Sequence, residues 1–186
     1  MALSEFRTKK MNHVFGLADL DGGGSITYKD FTLFRDKLEA QGAIPPKGTP
    51  KYERLQAELM ATWNNMRELA DTSRDEKVTR VEWLAWASKL NDEAEASGGA
   101  YPFESFMSSL IDVLDFDDDG YIGLGEYQAA AVAWSMKDID VAANLKVYDT
   151  NGDGKLSREE VISLLAEFYF GEDPSSPATN FYGRLP

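Results

Sequence analysis

The chain has 186 residues, 43% of them hydrophobic and 12% aromatic, with no cysteine and a net charge of −13. This length and apolar content suit one compact domain or two small lobes around a real core. The acidity excludes a nucleic-acid partner, and the missing cysteine excludes disulfides, thiolate metal sites and cysteine nucleophiles.

Residues 1–15 are amphipathic and lack the apolar stretch of a signal peptide. Ala2, not glycine, follows Met1, which argues against myristoylation. The longest apolar run, Ala129 to Trp134, is far too short to span a bilayer. The expectation is a cytoplasmic protein with no stable membrane anchoring.

Along the chain, Met11, Val14, Phe15 and Ala18 recur at helical spacing before DLDGGGSITYKD (Asp19 to Asp30), and Phe31, Phe34 and Leu38 do so after it. Three prolines in QGAIPPKGTP then interrupt the pattern. A long helix is predicted next, with Tyr52, Leu55, Leu59, Trp63, Met66 and Ala70 on one face. VEWLAWASKL and YPFESFMSSLIDVL read as helices on either side of NDEAEASGGA. Gly98, Gly99 and Pro102 mark the expected boundary between halves. Helical patterns at Ile139 to Tyr148 and Val161 to Phe170 follow. The fold class is all-α, with eight helices, an N-terminal unit over 1–92, a C-terminal unit over 101–170 and a tail over 171–186.

Four Gly/Asp-rich stretches separate these helices. DFDDDGYIGLGE and DTNGDGKLSREE match a calcium-binding loop at every place. A cation of this size takes six to eight oxygens, so side chains at positions one, three and five converge with the position-seven carbonyl. Glycine at six allows the sharp turn, and a glutamate at twelve closes the shell with both oxygens. The candidate ligands are Asp115, Asp117, Asp119, the Tyr121 carbonyl and Glu126 in one loop. In the other they are Asp149, Asn151, Asp153, the Lys155 carbonyl and Glu160.

DTSRDEKVTRVE keeps Asp71, Ser73, Asp75, the Lys77 carbonyl and Glu82, but Glu76 replaces the glycine at six. A side chain there forces an unfavourable positive φ, at a cost of about 1 kcal/mol. Weakened binding is expected over a purely structural loop. The stretch Asp19 to Asp30 offers Asp19, Asp21, the Ser25 carbonyl, Thr27 through water, and Asp30. Gly23 supplies no oxygen at position five, and Asp30 is one methylene shorter than glutamate. A contracted six-coordinate shell suits magnesium. This loop reads either as a weak, mixed Ca²⁺/Mg²⁺ site or as an empty one, the first being preferred.

Position eight is apolar in all four loops (Ile26, Val78, Ile122, Leu156), as a short strand pairing two loops requires. Position nine holds Thr27, Thr79, Gly123 and Ser157, residues suited to capping the next helix, with capping boxes in TRVE and SREE.

Four such helix–loop–helix units, without a long helix between halves, resemble the invertebrate sarcoplasmic calcium-binding proteins of the EF-hand superfamily. Calexcitins, coelenterazine-binding proteins and calcium-triggered photoproteins are relatives of that group. ADTSRDEKVTRVEWLAWA is similar to the family's second unit, in which an acidic residue at position six is tolerated. EFYFGEDPSSPATNFYGRLP is similar to its ending, which implies a tail folded back onto the body. An aspartate closing the first loop also occurs in the family, whereas Gly23 departs from its pattern. The resemblance implies two packed lobes and calcium ions as the partner.

The six methionines are scattered at 1, 11, 60, 66, 107 and 136, unlike the Met-rich groove of an opening sensor. Trp63, Trp83, Trp86, Trp134 and ten phenylalanines favour one fixed core instead. A monomeric buffer is therefore preferred. The alternative is a calexcitin-like sensor with a protein partner, its exposed element being the helix Met11 to Ala18 with Arg7, Lys9 and Lys10 upstream. A luciferin carrier or photoprotein ranks third, because His13 is the single histidine. No nucleophile–base pair or phosphate loop points to an enzyme.

Overall fold

The computed structural model describes residues 3–96, 108 and 111–186, with the side chains at 91 and 94–96 outside that description. The boundary expected at Gly98, Gly99 and Pro102 lies outside the described residues. So does most of the helix expected over 101–114, of which 111–114 are helical. The remaining helices are α1 (Glu5–Ala18), α2 (Tyr28–Ala40), α3 (Pro50–Ala70), α4 (Arg80–Ala96), α5 (Leu124–Ala133), α6 (Val141–Tyr148) and α7 (Arg158–Phe170). Among the described residues, these and the 111–114 segment make eight α-helical stretches, in line with the periodicity.

The helix starts follow local chemistry. Ser4 Oγ accepts the Arg7 N–H at 3.1 Å, Thr49 Oγ1 that of Tyr52 at 3.3 Å, and Asp140 Oδ1 that of Ala143 at 3.0 Å. α1, α3 and α6 each stop at an aspartate, Asp19, Asp71 and Asp149, which is the first residue of a loop.

The loops pair through two-residue strands. β1 (Ser25–Ile26) runs antiparallel to β2 (Val78–Thr79), and β3 (Tyr121–Ile122) to β4 (Leu156–Ser157). The four position-eight residues, Ile26, Val78, Ile122 and Leu156, are all buried, so each ribbon fixes two loops side by side over the core.

The core is aromatic and runs through both halves. Trp83 is 1% exposed, and its indole N–H donates to the Met11 carbonyl at 2.8 Å, which binds α4 to α1. Phe34 on α2 stacks on Trp134 just beyond α5. α1 is not the exposed element the sensor reading required. Met11, Val14 and Phe15 are buried, and so are Arg7 and Lys10. Arg7 Nε donates to the Tyr169 carbonyl at 3.1 Å. Lys10 Nζ donates to the carbonyls of Phe168 and Gly171, the latter at 2.6 Å. Two cations thus satisfy the free carbonyls at the C-terminal end of α7, where the helix dipole is negative. Burial lowers the Lys10 pKa to about 8, with the neighbouring Arg7 charge acting in the same direction.

The chain beyond α7 lies against the body. Phe181 and Tyr182 are buried, and Tyr182 meets Phe168 edge-on at 4.9 Å between ring centroids. Tyr127 and Tyr148 donate their hydroxyls to the carbonyls of Phe181 and Pro177, each at 2.8 Å. His13 Nε2 is 2.9 Å from the Tyr182 carbonyl. Gly183 has φ +85°, and a Cβ there would stand 2.8 Å from the Lys137 carbonyl, so only glycine fits this turn.

Candidate metal centres

All four loops share one geometry. The position-one carboxylate accepts the position-six N–H: Gly24 to Asp19 at 2.9 Å, Glu76 to Asp71 at 3.0 Å, Gly120 to Asp115 at 2.9 Å and Gly154 to Asp149 at 2.7 Å. The position-twelve carboxylate accepts the position-nine N–H: Thr27 to Asp30 at 2.8 Å, Thr79 to Glu82 at 3.0 Å, Gly123 to Glu126 at 2.8 Å and Ser157 to Glu160 at 2.9 Å. Its second oxygen reaches back to the loop's entry, accepting Asp21 N–H at 3.1 Å, Ser73 N–H at 3.0 Å, Phe116 N–H at 2.6 Å and Thr150 N–H at 2.8 Å. The acid that caps each new helix therefore also closes its loop.

The turn needs two left-handed residues per loop, at positions four and six. These are Gly22 and Gly24, Arg74 and Glu76, Asp118 and Gly120, and Gly152 and Gly154. The strain anticipated at Glu76 is present, with φ 63°, and its carboxylate is held by Arg67 at 2.9 Å. The left-handed position four was not read from the sequence, although Gly22 and Gly152 there were the available signal. Arg74 (φ 61°) and Asp118 (φ 65°) take it without glycine's freedom.

Convergence differs between loops. Among the described residues, carboxylate oxygens come within 4.8 Å of one another as triplets at Asp19, Asp21 and Asp30 and at Asp115, Asp117 and Glu126. The acids of the second and fourth loops occupy the same places without so close an approach, each engaged by the backbone bonds above. Asp75 and Asp153 each accept the position-seven N–H, at 3.1 Å from Lys77 and 3.0 Å from Lys155.

The first loop departs from the sequence-based picture in an informative way. Asp30 is 2% exposed and, despite its shorter side chain, reaches both the loop entry and Thr27. Asp19 Oδ1 is buried with no hydrogen-bond partner. A buried anionic oxygen without a donor is costly, and a hard cation beside three carboxylates satisfies it. Lys29 Nζ meets Asp21 Oδ2 at 2.8 Å, and this bond, helped by the Gly23 N–H, lowers the Asp21 pKa.

Electrostatics separates the closing acids. Glu82 is held near pKa 2 by the Thr79 N–H, against opposing burial, with the Thr79 hydroxyl and Ser73 adding to the effect. At Glu160 burial opposes, but the Thr150 hydroxyl and the N–H groups of Ser157, Thr150 and Asn151 together bring the group to about 2. Burial instead raises Glu126, despite bonds from Gly123, Phe116 and Asp117. All four candidate ligand sets are oxygen-rich, without histidine or sulfur, and fit a hard divalent cation rather than zinc or copper.

The EF hand family model matches residues 144–165, which contain the fourth loop. The beta chain of a sarcoplasmic calcium-binding protein from Penaeus sp. is 28% identical over 177 residues, covering 90% of each chain. Over nine-tenths of its length this chain is similar to the sarcoplasmic calcium-binding proteins. The fourth loop thus lies in an EF hand, and the relatives are named for binding calcium. The luciferin-binding protein of Renilla reniformis is also 28% identical, over 97% of this chain and 95% of its own. In fold, the chain is similar to the calcium-loaded apo form of the coelenterazine-binding protein from Renilla muelleri, with a TM-score of 0.78 at 22% identity over 98% of this chain and all of that one. None of the described helices of this sarcoplasmic calcium-binding protein homologue is long and apolar enough to cross a membrane.

Proposed function

We propose that the protein is a cytoplasmic, monomeric calcium buffer that takes up Ca²⁺, with Mg²⁺ competing, at four loops arranged as an N-terminal pair (1–92) and a C-terminal pair (101–170). The ligands are those named from the spacing, with the third and fourth loops the strongest and the first the weakest. Asp19 Oδ1, buried and without a donor, favours occupation of the first loop, and the shorter closing acid, Asp30, suits Mg²⁺.

The observation that carries buffering over sensing is the cover on the apolar helix faces. Phe34 lies on Trp134, Phe181 and Tyr182 lie on Tyr127 and Phe168, and the exposed large hydrophobics, such as Leu69, Val81 and Val132, are scattered. A sensor of the opening type presents a groove on binding, whereas these aromatic faces, among the described residues, could be presented only by breaking the core. Ligand carriage of the Renilla kind has less support. The enclosed spaces in the core, about 40 Å³ beside Phe34 and Trp134 and about 10 Å³ beside Tyr127 and Phe181, are far below the roughly 300 Å³ of a small-molecule pocket, and the larger clefts, about 440 Å³ beside Tyr148 and Pro177 and about 730 Å³ beside His13 and Trp134, are open to solvent.

The ligand carboxylates repel one another in the metal-free protein. Four divalent ions, eight positive charges, would bring the net charge from −13 to −5, so binding and stability rise together. Fluorescence of a hydrophobic dye, measured with and without calcium, tests the buffer reading. Unchanged dye binding is expected, and a calcium-dependent rise would favour the sensor.

A further inference from the structure

Lys155 serves two loops at once. Its carbonyl is the candidate position-seven ligand of the fourth loop. Its ammonium crosses the β3–β4 ribbon to pair with Asp119 Oδ2, at position five of the third loop. The register, with Leu156 opposite Ile122, carries residue 155 toward Gly123 of the neighbouring loop, and from there the side chain passes the Tyr121 ring, with Nζ 5.5 Å from its centroid, to reach Asp119. Asp119 Oδ1 meanwhile accepts the Tyr121 N–H at 3.0 Å. The third loop's converging triplet accordingly consists of Asp115, Asp117 and Glu126, without Asp119.

The N-terminal pair supplies the contrast. Lys77 occupies the same position seven in the second loop, and Val78 lies opposite Ile26 in the same register. The residue corresponding to Asp119 is Gly23, which has no carboxylate to offer. The same lysine position therefore meets an acid only in the C-terminal pair.

We propose that Lys155 sets the calcium affinity of the third loop as a built-in competitor, whose ammonium must withdraw before Asp119 can act as a ligand. The proposal rests on the calcium reading of that loop. The side chains of Lys155 and Asp119 are 46% and 32% exposed, so the pair can exchange and the lysine has open solvent to swing into. Two other cations approach the loop, Lys51 and Arg54 of α3, but both pair with Asp118 at position four, which is not a ligand position. Neither has to leave for the loop to fill. Lys155 alone among these three stands on a ligand oxygen. It also links the two loops, since its backbone is fixed by one and its charge is committed to the other.

The test is a calcium titration of the full chain by amide NMR, following Gly120 and Gly154, whose N–H groups lie at position six of the third and fourth loops. Lys155→Gln is expected to move the Gly120 midpoint to roughly three- to tenfold lower calcium and to leave the Gly154 midpoint within about twofold, since only the position-seven carbonyl serves that loop. Lys155→Arg, which keeps the charge, should retain the wild-type Gly120 midpoint. Metal-free Lys155→Gln should melt below metal-free wild type, because Asp119 loses its counter-charge. A Gly120 midpoint unmoved by Lys155→Gln, or one that moves together with Gly154, overturns the proposal. A Gly120 resonance indifferent to calcium in both proteins overturns the calcium reading of the loop, and the proposal with it.

Discussion

Phe34 of α2 and Trp134, the residue after α5, stack with ring centroids 4.6 Å apart and planes inclined by 26°. The contact joins the first half of the chain to the second, and Lys37 reinforces it by donating to Ser135 Oγ at 3.1 Å. Phe34 is buried, so Phe34→Ala should cost about 3–5 kcal/mol through lost burial and the cavity left behind. Chemical denaturation with saturating calcium measures this as a lower midpoint. A cost below about 1 kcal/mol would mean that the halves are held together elsewhere.

Lys10 is the second such link. Its ammonium is buried and serves two carbonyls at the end of α7, while cation–π contacts to Phe6 and Phe168 surround it. Lys10→Met keeps most of the volume and removes the donors, leaving buried carbonyls unpaired, and should cost about 2 kcal/mol. The same denaturation experiment reads it. A neutral substitution would show that water replaces the lysine.

The first loop lacks a position-five oxygen, and Gly23→Asp should supply one, tightening that site by about tenfold. A Cβ at Gly23 would stand 2.7 Å from Asp21 Oδ1, so Asp21 has to turn, a modest demand on the end of a short side chain. Lys77 would then have an acid across the ribbon, as Lys155 has, and Gly23→Asp with Lys77→Gln should bind more tightly still. Calorimetry of the single and double variants is the measurement. Equal affinity in wild type and both variants would locate the weakness in Asp30 instead.

Acid should weaken the metal-free protein. Glu82 and Glu160 have folded pKa values of about 2, below the usual 4.5. A depressed carboxylate contributes stability that is present above its unfolded pKa and is lost as pH falls through the folded one. The loss should therefore run from about pH 4.5 down to about pH 2. Glu126, raised by burial, acts in the opposite sense, so Glu126→Gln should make the metal-free protein more acid-sensitive relative to its own neutral-pH stability. Unfolding midpoints across this range, taken in chelator, decide it.

Much of the candidate site was legible because metal geometry fixes residue types at fixed spacings. The strained Glu76, the Thr79–Glu82 and Ser157–Glu160 caps and the apolar position-eight ribbon all follow from the loop's own twelve residues. What was not legible depends on partners far away in the chain. The sensor alternative sets Arg7 and Lys10 beside an exposed element, yet both are buried because the carbonyls that hold them lie about 160 residues on, in α7. Periodicity turned Phe34 inward without naming Trp134. Lys155 was counted only for its carbonyl, since nothing within its own loop shows that its ammonium reaches a neighbouring one.

Calcium uptake by these loops is tested most directly by a calorimetric calcium titration of the metal-free protein in physiological magnesium, followed by melting of the loaded and metal-free forms. Four ions per chain, with the third and fourth loops filling at the lowest calcium and a clearly higher melting temperature when loaded, is the expected result. Fewer than two ions, or equal melting temperatures, would contradict it.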